Sequence, residues 1–147
     1  MNIALALCIS LAPVVGAAVP SFPDEMDFLN RVPADDADQV VGAVRQFALL
    51  QFALLTWDRE IAEQLSENES TREEAQARAE SANERLKRIE RAYKVLLERY
   101  PKNARALNYQ GEFLYDYRGD QLNAVRLWKE AVASDPKLSL PYNNLGI

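Results

Sequence analysis

Residues 103–147 carry two short segments of helical periodicity separated by a turn, and this stretch constrains the fold more than any other. The spacing of its apolar residues predicts one helix over Ala104–Tyr117 and a second over Gln121–Ser134. Gly119 and Asp120 supply the turn and an N-cap between them. Neither helix can bury its apolar face alone, so the two are expected to form an antiparallel hairpin that packs on further helices.

Small and bulky residues follow a fixed order in this hairpin, and the order begins again after it. A bulky residue, two glycines, a small residue, an aromatic, a second small residue and a proline appear as Leu107, Gly111, Gly119, Ala124, Trp128, Ala131 and Pro136. The restart lies about 35 residues further on and consists of Tyr142, Leu145 and Gly146. A side chain larger than those of Gly111 and Ala124 would push the two helices apart.

This order resembles the tetratricopeptide repeat, a unit of roughly 34 residues in two antiparallel helices. Residues 103–136 correspond to one complete repeat and residues 139–147 to the first part of another. There are two departures, because Gln110 replaces an apolar residue and the Phe113–Arg118 stretch is one residue longer than the family's. The resemblance implies an all-α fold in which antiparallel helical hairpins stack into a right-handed α-solenoid.

Residues 35–101 predict a longer hairpin that ends in a degenerate repeat helix. Its first helix should begin near Asp36 and end near Leu65, with a buried face formed by Val40, Val44, Phe47, Leu54, Ile61 and Leu65 and widened by Val41, Ala48 and Leu55. Its second helix should follow a capping box at Ser70 or Thr71.

The second helix carries a heptad seam, and the seam has two interpretations. The seam residues are Ala75, Ala79, Ala82, Leu86, Ile89, Tyr93, Leu96 and Tyr100. They either pack against the preceding helix, which short connections favour, or join two copies of the chain in a coiled coil. The charged residues between them, including Arg85, are expected to face solvent.

The N-terminal residues suggest export. Residues 1–19 are apolar and end in small residues, which is typical of a signal peptide, although no Lys or Arg precedes the apolar run. Residues 20–34 form an acidic linker that contains prolines. We therefore expect a periplasmic or secreted protein; anchoring in a membrane by residues 3–19, and a cytoplasmic location, are the alternatives.

Composition excludes several classes of function. The chain has no histidine and one cysteine, so metal sites built on those residues are excluded, and no metal or cofactor is expected. It lacks a basic stripe, so nucleic acid is a poor candidate partner. A phosphate-binding loop and a nucleophile elbow are both absent, and carboxylate pairs such as Glu73 and Glu74 lie on exposed faces, so an enzyme is not expected.

The resemblance implies a non-catalytic scaffold that binds another protein or peptide in a concave groove. In that family the first helices of successive repeats line the groove. The corresponding residues here are Arg105, Asn108, Glu112, Tyr115, Asp116, Leu140 and Asn143. Glu112 and Asp116 would repel the terminal carboxylate that some family members clamp. The alternatives are a self-assembling adaptor that uses the Ala75–Tyr100 seam and a regulatory module of a larger multi-domain protein.

The last residues of the sequence fall inside the first helix of a repeat. Apolar residues at this end, among them Leu140 and Ile147, would lack the second helix of their repeat. Terminal repeats of solenoids normally carry a polar capping face. We therefore expect this sequence to belong to a longer array.

Overall fold

The computed structural model of the chain describes residues 36–147, and these residues form an all-helical structure without strands. The predicted signal peptide and acidic linker lie outside the described residues. The elements are α1 (Ala37–Ser66), a 3-10 turn (Glu69–Thr71), α2 (Arg72–Arg99), α3 (Ala104–Phe113), a π-helical segment (Leu114–Arg118), α4 (Gln121–Ser134) and α5 (Leu140–Leu145).

The helices α1 and α2 pack along their length as an antiparallel hairpin. Asp36 caps α1, because its carboxylate accepts a hydrogen bond from the Gln39 amide at 3.0 Å. The predicted capping box at the start of α2 is wrong. Thr71 instead donates its hydroxyl hydrogen bond to the Leu65 carbonyl oxygen at 2.6 Å, and the connection is capped by Asn68. The Thr71 hydroxyl therefore fastens the turn to the end of α1.

The buried face of α1 is rotated from the expected one. Val40, Val41, Val44, Ala48 and Leu55 are fully buried, so residues expected at the margin lie at its centre. Phe47, Leu54, Ile61 and Leu65 are only half-buried. The rotation has a physical reason, because the same face also buries the polar side chains of Gln51 and Asp58 against α2.

The heptad seam of α2 is used within the chain. Ala75, Ala82, Leu86, Ile89, Tyr93 and Leu96 are buried, Tyr100 is half-buried and Ala79 is exposed. The bulky part of the seam joins the core that α1 supplies, and this core extends to Phe113 at the end of α3. Packing inside the hairpin thus accounts for the seam residues without a second copy of the chain.

The helices α3 and α4 form a shorter hairpin around one close contact. A Cβ atom placed on Gly111 would lie 2.7 Å from Cδ1 of Trp128, so only glycine fits there without movement of the indole. The indole nitrogen of Trp128 donates a hydrogen bond to the Asn108 carbonyl oxygen at 3.3 Å. The expectation that Gly111 lies at the helix crossing is confirmed.

The helix expected over Ala104–Tyr117 is α-helical only to Phe113. The next five residues form a π-helical turn, which ends at Gly119 with φ of 65°. A π-helical turn is the way in which a helix takes up one additional residue without breaking. The stretch that is one residue too long in sequence is therefore the stretch that changes helix type.

The two hairpins and α5 pack in sequence order. The helix α3 contacts both α1 and α2, and α5 contacts both α3 and α4. A second cluster of Ala104, Leu107, Leu127 and Ala131 fills the interior of the α3–α4 hairpin. The all-α class is confirmed, while the right-handed solenoid stays a prediction.

Candidate partner-binding groove

One face of the molecule is formed by α1, α3 and α5, and a chain of polar contacts joins these three helices. An Arg45 guanidinium nitrogen on α1 lies 2.9 Å from a Glu112 carboxylate oxygen on α3. The other Glu112 oxygen accepts a hydrogen bond from the Asn108 amide at 2.8 Å. The Asn144 amide on α5 donates to the Asn108 side-chain oxygen at 2.9 Å. The contacts run without a gap from the first hairpin to the last helix.

Arg45 begins this series of contacts on α1. It donates a hydrogen bond to the Tyr93 hydroxyl at 3.5 Å, and its guanidinium lies over the Tyr109 ring, 4.5 Å from the centroid. Burial lowers the pKa of Arg45, but the Tyr93 hydrogen bond and the nearby Glu112 charge outweigh burial, so the net pKa is raised. Arg45 is therefore a permanent cation that neutralises Glu112.

The structure places the expected groove residues in different environments. Asn108 is fully buried, and Glu112 is largely covered by Arg45. Arg105 is exposed and lies 3.8 Å from the Asp38 carboxylate. The remaining four, Tyr115, Asp116, Leu140 and Asn143, are exposed. Asn108 and Glu112 thus build the face internally, while the others are available at its surface.

Tyr115 and Asp116 lie at different depressions, because neighbouring residues of a helix do not face the same side. The Tyr115 ring lies 5.6 Å from the Trp128 ring, at the edge of a depression that α5 also lines. Asp116 lines a smaller depression between α1 and the π-helical turn. The structure therefore separates two side chains that sequence reasoning assigned to one surface.

The smaller depression has an aromatic lining. Its volume is about 170 Å³, and it is lined by Arg45, Leu49 and Phe52 from α1 together with Glu112, Phe113, Asp116 and Tyr117. Phe52 and Tyr117 stack with ring centroids 4.1 Å apart and planes inclined by 12°. The Leu49 side chain is 45% exposed at the edge. The depression is open to solvent and large enough for one side chain.

Charges of both signs act on the Tyr117 hydroxyl. Burial and the Asp116 carboxylate raise the pKa of Tyr117, and the cation of Arg59 acts in the opposite direction. Among residues 36–147, Asp116 has no ion-pair or hydrogen-bond partner. The sequence signal for this depression was the Phe113–Arg118 stretch, which is one residue too long. The stacking of Tyr117 on Phe52 of α1 could not be predicted from that stretch alone.

A second polar cluster lies inside the α1–α2 hairpin and was missed by sequence reasoning. The Arg85 guanidinium donates to Asp58 at 2.8 Å and to the Gln51 amide oxygen at 3.1 Å. Ser81 and Arg78 complete the shell of Asp58, at 2.9 Å and 3.3 Å. The expectation that Arg85 faces solvent is wrong, because Asp58 and Gln51 on α1 bind it in the interior. Full satisfaction of these groups indicates a structural role.

The described part of the chain offers no cluster of three Cys, Asp or Glu side chains that could hold a metal ion.

By length and composition, α1 could cross a membrane, although core helices of globular proteins pass the same criterion. Here α1 packs on α2 through the buried Asp58, and a carboxylate is energetically unfavourable in lipid.

Comparison with protein-family models, with curated proteins and with solved structures finds no match for this chain.

Proposed function

We propose that the chain is a non-catalytic scaffold that binds another protein or peptide along the face of α1, α3 and α5, as successive layers of a tetratricopeptide-like solenoid. One observation carries the proposal. The polar chain from Arg45 through Glu112 and Asn108 to Asn144 holds one helix of each successive layer side by side. Such a chain makes one continuous surface out of separate helices, which is what an extended ligand requires.

The proposal of a binding function also agrees with the chemistry of the face. Its ionised groups are mostly neutralised in pairs, such as Arg45 with Glu112 and Arg105 with Asp38. Paired groups of this kind position a ligand and give specificity rather than move protons. Export of the protein belongs to the same proposal, with the signal peptide in residues 1–19.

The binding function can be tested by phage display. Random linear peptides are selected for binding to the immobilised full chain. We expect enriched peptides whose affinity, measured by fluorescence anisotropy, falls in the double variant Arg105→Ala/Tyr115→Ala. Interface energy concentrates in few residues, of which Tyr and Arg are the commonest. Leu122→Ala is the matched control, because Leu122 is 88% exposed on α4 and lies outside the groove.

Circular dichroism of the double variant should match that of the unchanged chain, since both side chains lie at the surface. Equal affinity of every enriched peptide for the double variant and for the unchanged chain would count against the groove.

Self-assembly through the Ala75–Tyr100 seam has no supporting contact in the described residues. Leu86 is 4% exposed and belongs to the core shared with α1, so a dimer through this seam requires the hairpin to open. We therefore expect Leu86→Asp to unfold the hairpin rather than to dissociate a folded dimer, which sedimentation and circular dichroism distinguish.

A further inference from the structure

We propose that the depression between α1 and the π-helical turn is a subsite for a cationic side chain, so that the groove selects peptides containing Arg or Lys. The inference rests on the proposed function and adds the chemical class of the ligand. It is carried by three observations on this depression: its volume, its aromatic lining and the carboxylate of Asp116, which forms no ion pair among residues 36–147.

The volume decides between classes of ligand. About 170 Å³ lies well below the roughly 300 to 1,000 Å³ that small-molecule sites enclose. The depression is also open along the groove, at the exposed side chain of Leu49. It therefore suits a single side chain projecting from a polypeptide that lies across α1 and α3.

The charges decide which side chain. Glu112 is neutralised by Arg45 at 2.9 Å, whereas Asp116 has no ion-pair partner in the described part of the chain. Arg59 of α1 acts to lower the pKa of Tyr117, but it forms no ion pair with Asp116 in the described part of the chain. Arg45 and Glu112 also line the depression and neutralise each other, so Asp116 adds one negative charge that forms no ion pair among residues 36–147. An anionic ligand avoids this charge and a cationic ligand neutralises it.

The lining decides how such a side chain is held. The aliphatic stem of Arg or Lys has apolar surface from Leu49 and the stacked Phe52–Tyr117 pair to cover. Guanidinium and ammonium groups are attracted to aromatic rings, and their N–H groups form charge-assisted hydrogen bonds with a carboxylate. One occupant therefore satisfies both the apolar wall and Asp116.

The experiment continues from the peptides that the full chain enriches. We expect Arg or Lys at one common position, and replacement of that residue by citrulline or acetyl-lysine, which are neutral and of similar shape, to weaken binding about tenfold. Asp116→Asn should weaken the cationic peptide by a similar factor and remove the difference between the cationic and neutral peptides.

Glu98→Gln is the matched control, because it removes the same charge from α2, which contributes no residue to the depression. It should leave all affinities within about twofold, since distant surface charges are screened by salt. Tyr117→Leu provides a second variant that keeps apolar volume while removing the aromatic ring.

The outcomes separate the two proposals. If the peptides respond to Arg105→Ala/Tyr115→Ala but bind equally well after the neutral replacement or in Asp116→Asn, the cationic subsite is overturned and the groove stands. If no enriched peptide responds to the double variant, the groove fails and the subsite fails with it. A loss in Asp116→Asn that Glu98→Gln reproduces would also overturn the subsite.

Discussion

The two hairpins of this chain are held together by different means. In the α1–α2 hairpin, a buried Asp58–Arg85 ion pair lies beside apolar side chains. Arg78 and Ser81 also bind Asp58, and Gln51 also binds Arg85. In the α3–α4 hairpin, a glycine lets Trp128 approach the backbone of α3. The first depends on matching charges across two helices, the second on the shape of one contact. The difference teaches that the long hairpin depends on charges matched across two helices, whereas the short hairpin depends on a residue small enough to admit the indole.

The largest expected effect comes from breaking the ion pair of the long hairpin. Asp58→Ala leaves the 7% exposed Arg85 without a counter-charge, and losing one partner of a buried pair costs about 3 to 5 kcal/mol. Urea denaturation followed by circular dichroism measures the loss. A cost below about 1 kcal/mol, the range of surface ion pairs, would contradict the picture of a hairpin held by buried charge.

The control is the double variant Asp58→Leu/Arg85→Leu, which removes both charges and keeps apolar volume. It should recover most of the stability lost by Asp58→Ala, because apolar replacement of a whole buried pair is often neutral or stabilising.

The next effect concerns the shape of the short hairpin. Gly111→Ala places a methyl group within 2.7 Å of Trp128 Cδ1, and overpacking of this kind costs about 1 to 3 kcal/mol. The near-ultraviolet circular dichroism of the two tryptophans should change as the indole moves. An unchanged spectrum and unchanged stability would show that the contact at Gly111 does not control the hairpin.

A smaller effect of opposite sign is expected at Gly42, which serves as the matched control. This glycine lies inside α1, is exposed, and a Cβ atom there meets nothing within 4 Å. Gly42→Ala should stabilise the protein by about 0.5 to 1 kcal/mol, because alanine is the better helix former. A destabilising result from thermal unfolding would mean that close approach also matters in the long hairpin.

The smallest effect is a pH dependence that the Tyr93 hydroxyl gives to the long hairpin. Burial raises the pKa of Tyr93, so the folded state favours the neutral phenol. Its contribution to stability is complete below the ordinary pKa of about 10 and is lost as pH rises through the higher folded-state value. Between about pH 8 and about pH 11, Tyr93→Phe should lose less stability than the unchanged chain. Parallel loss in both proteins would assign the alkaline effect to other groups.

The same comparison explains how much could be predicted from sequence. In the short hairpin, the caps Asn103 and Asp120, the turn at Gly119 and the crossing at Gly111 each depend on one residue type, and the turn, its cap and the crossing were predicted correctly. In the long hairpin, the periodicity of apolar residues located both helices. The same periodicity misplaced the buried face of α1. Polar residues such as Gln51 and Asp58 are expected at the surface, and only the structure shows that Arg85 binds them in the interior.

The groove was predictable only in part for a related reason. Helical spacing placed Arg105, Asn108 and Glu112 on one side of α3, but it could not show that Arg45 of α1 covers Glu112. Sequence spacing orders residues along one helix, whereas burial depends on the neighbouring helix, which lies some sixty residues earlier in the chain for this pair.

The π-helical turn also has a consequence for recognising the chain. Residues that follow Leu114 are displaced by one position from those of a regular α-helix, while Gly119 still ends the helix and Asp120 still begins the next. A comparison of this sequence with the tetratricopeptide pattern that allows no gap would therefore place Asp116 and Tyr117 one position out of register.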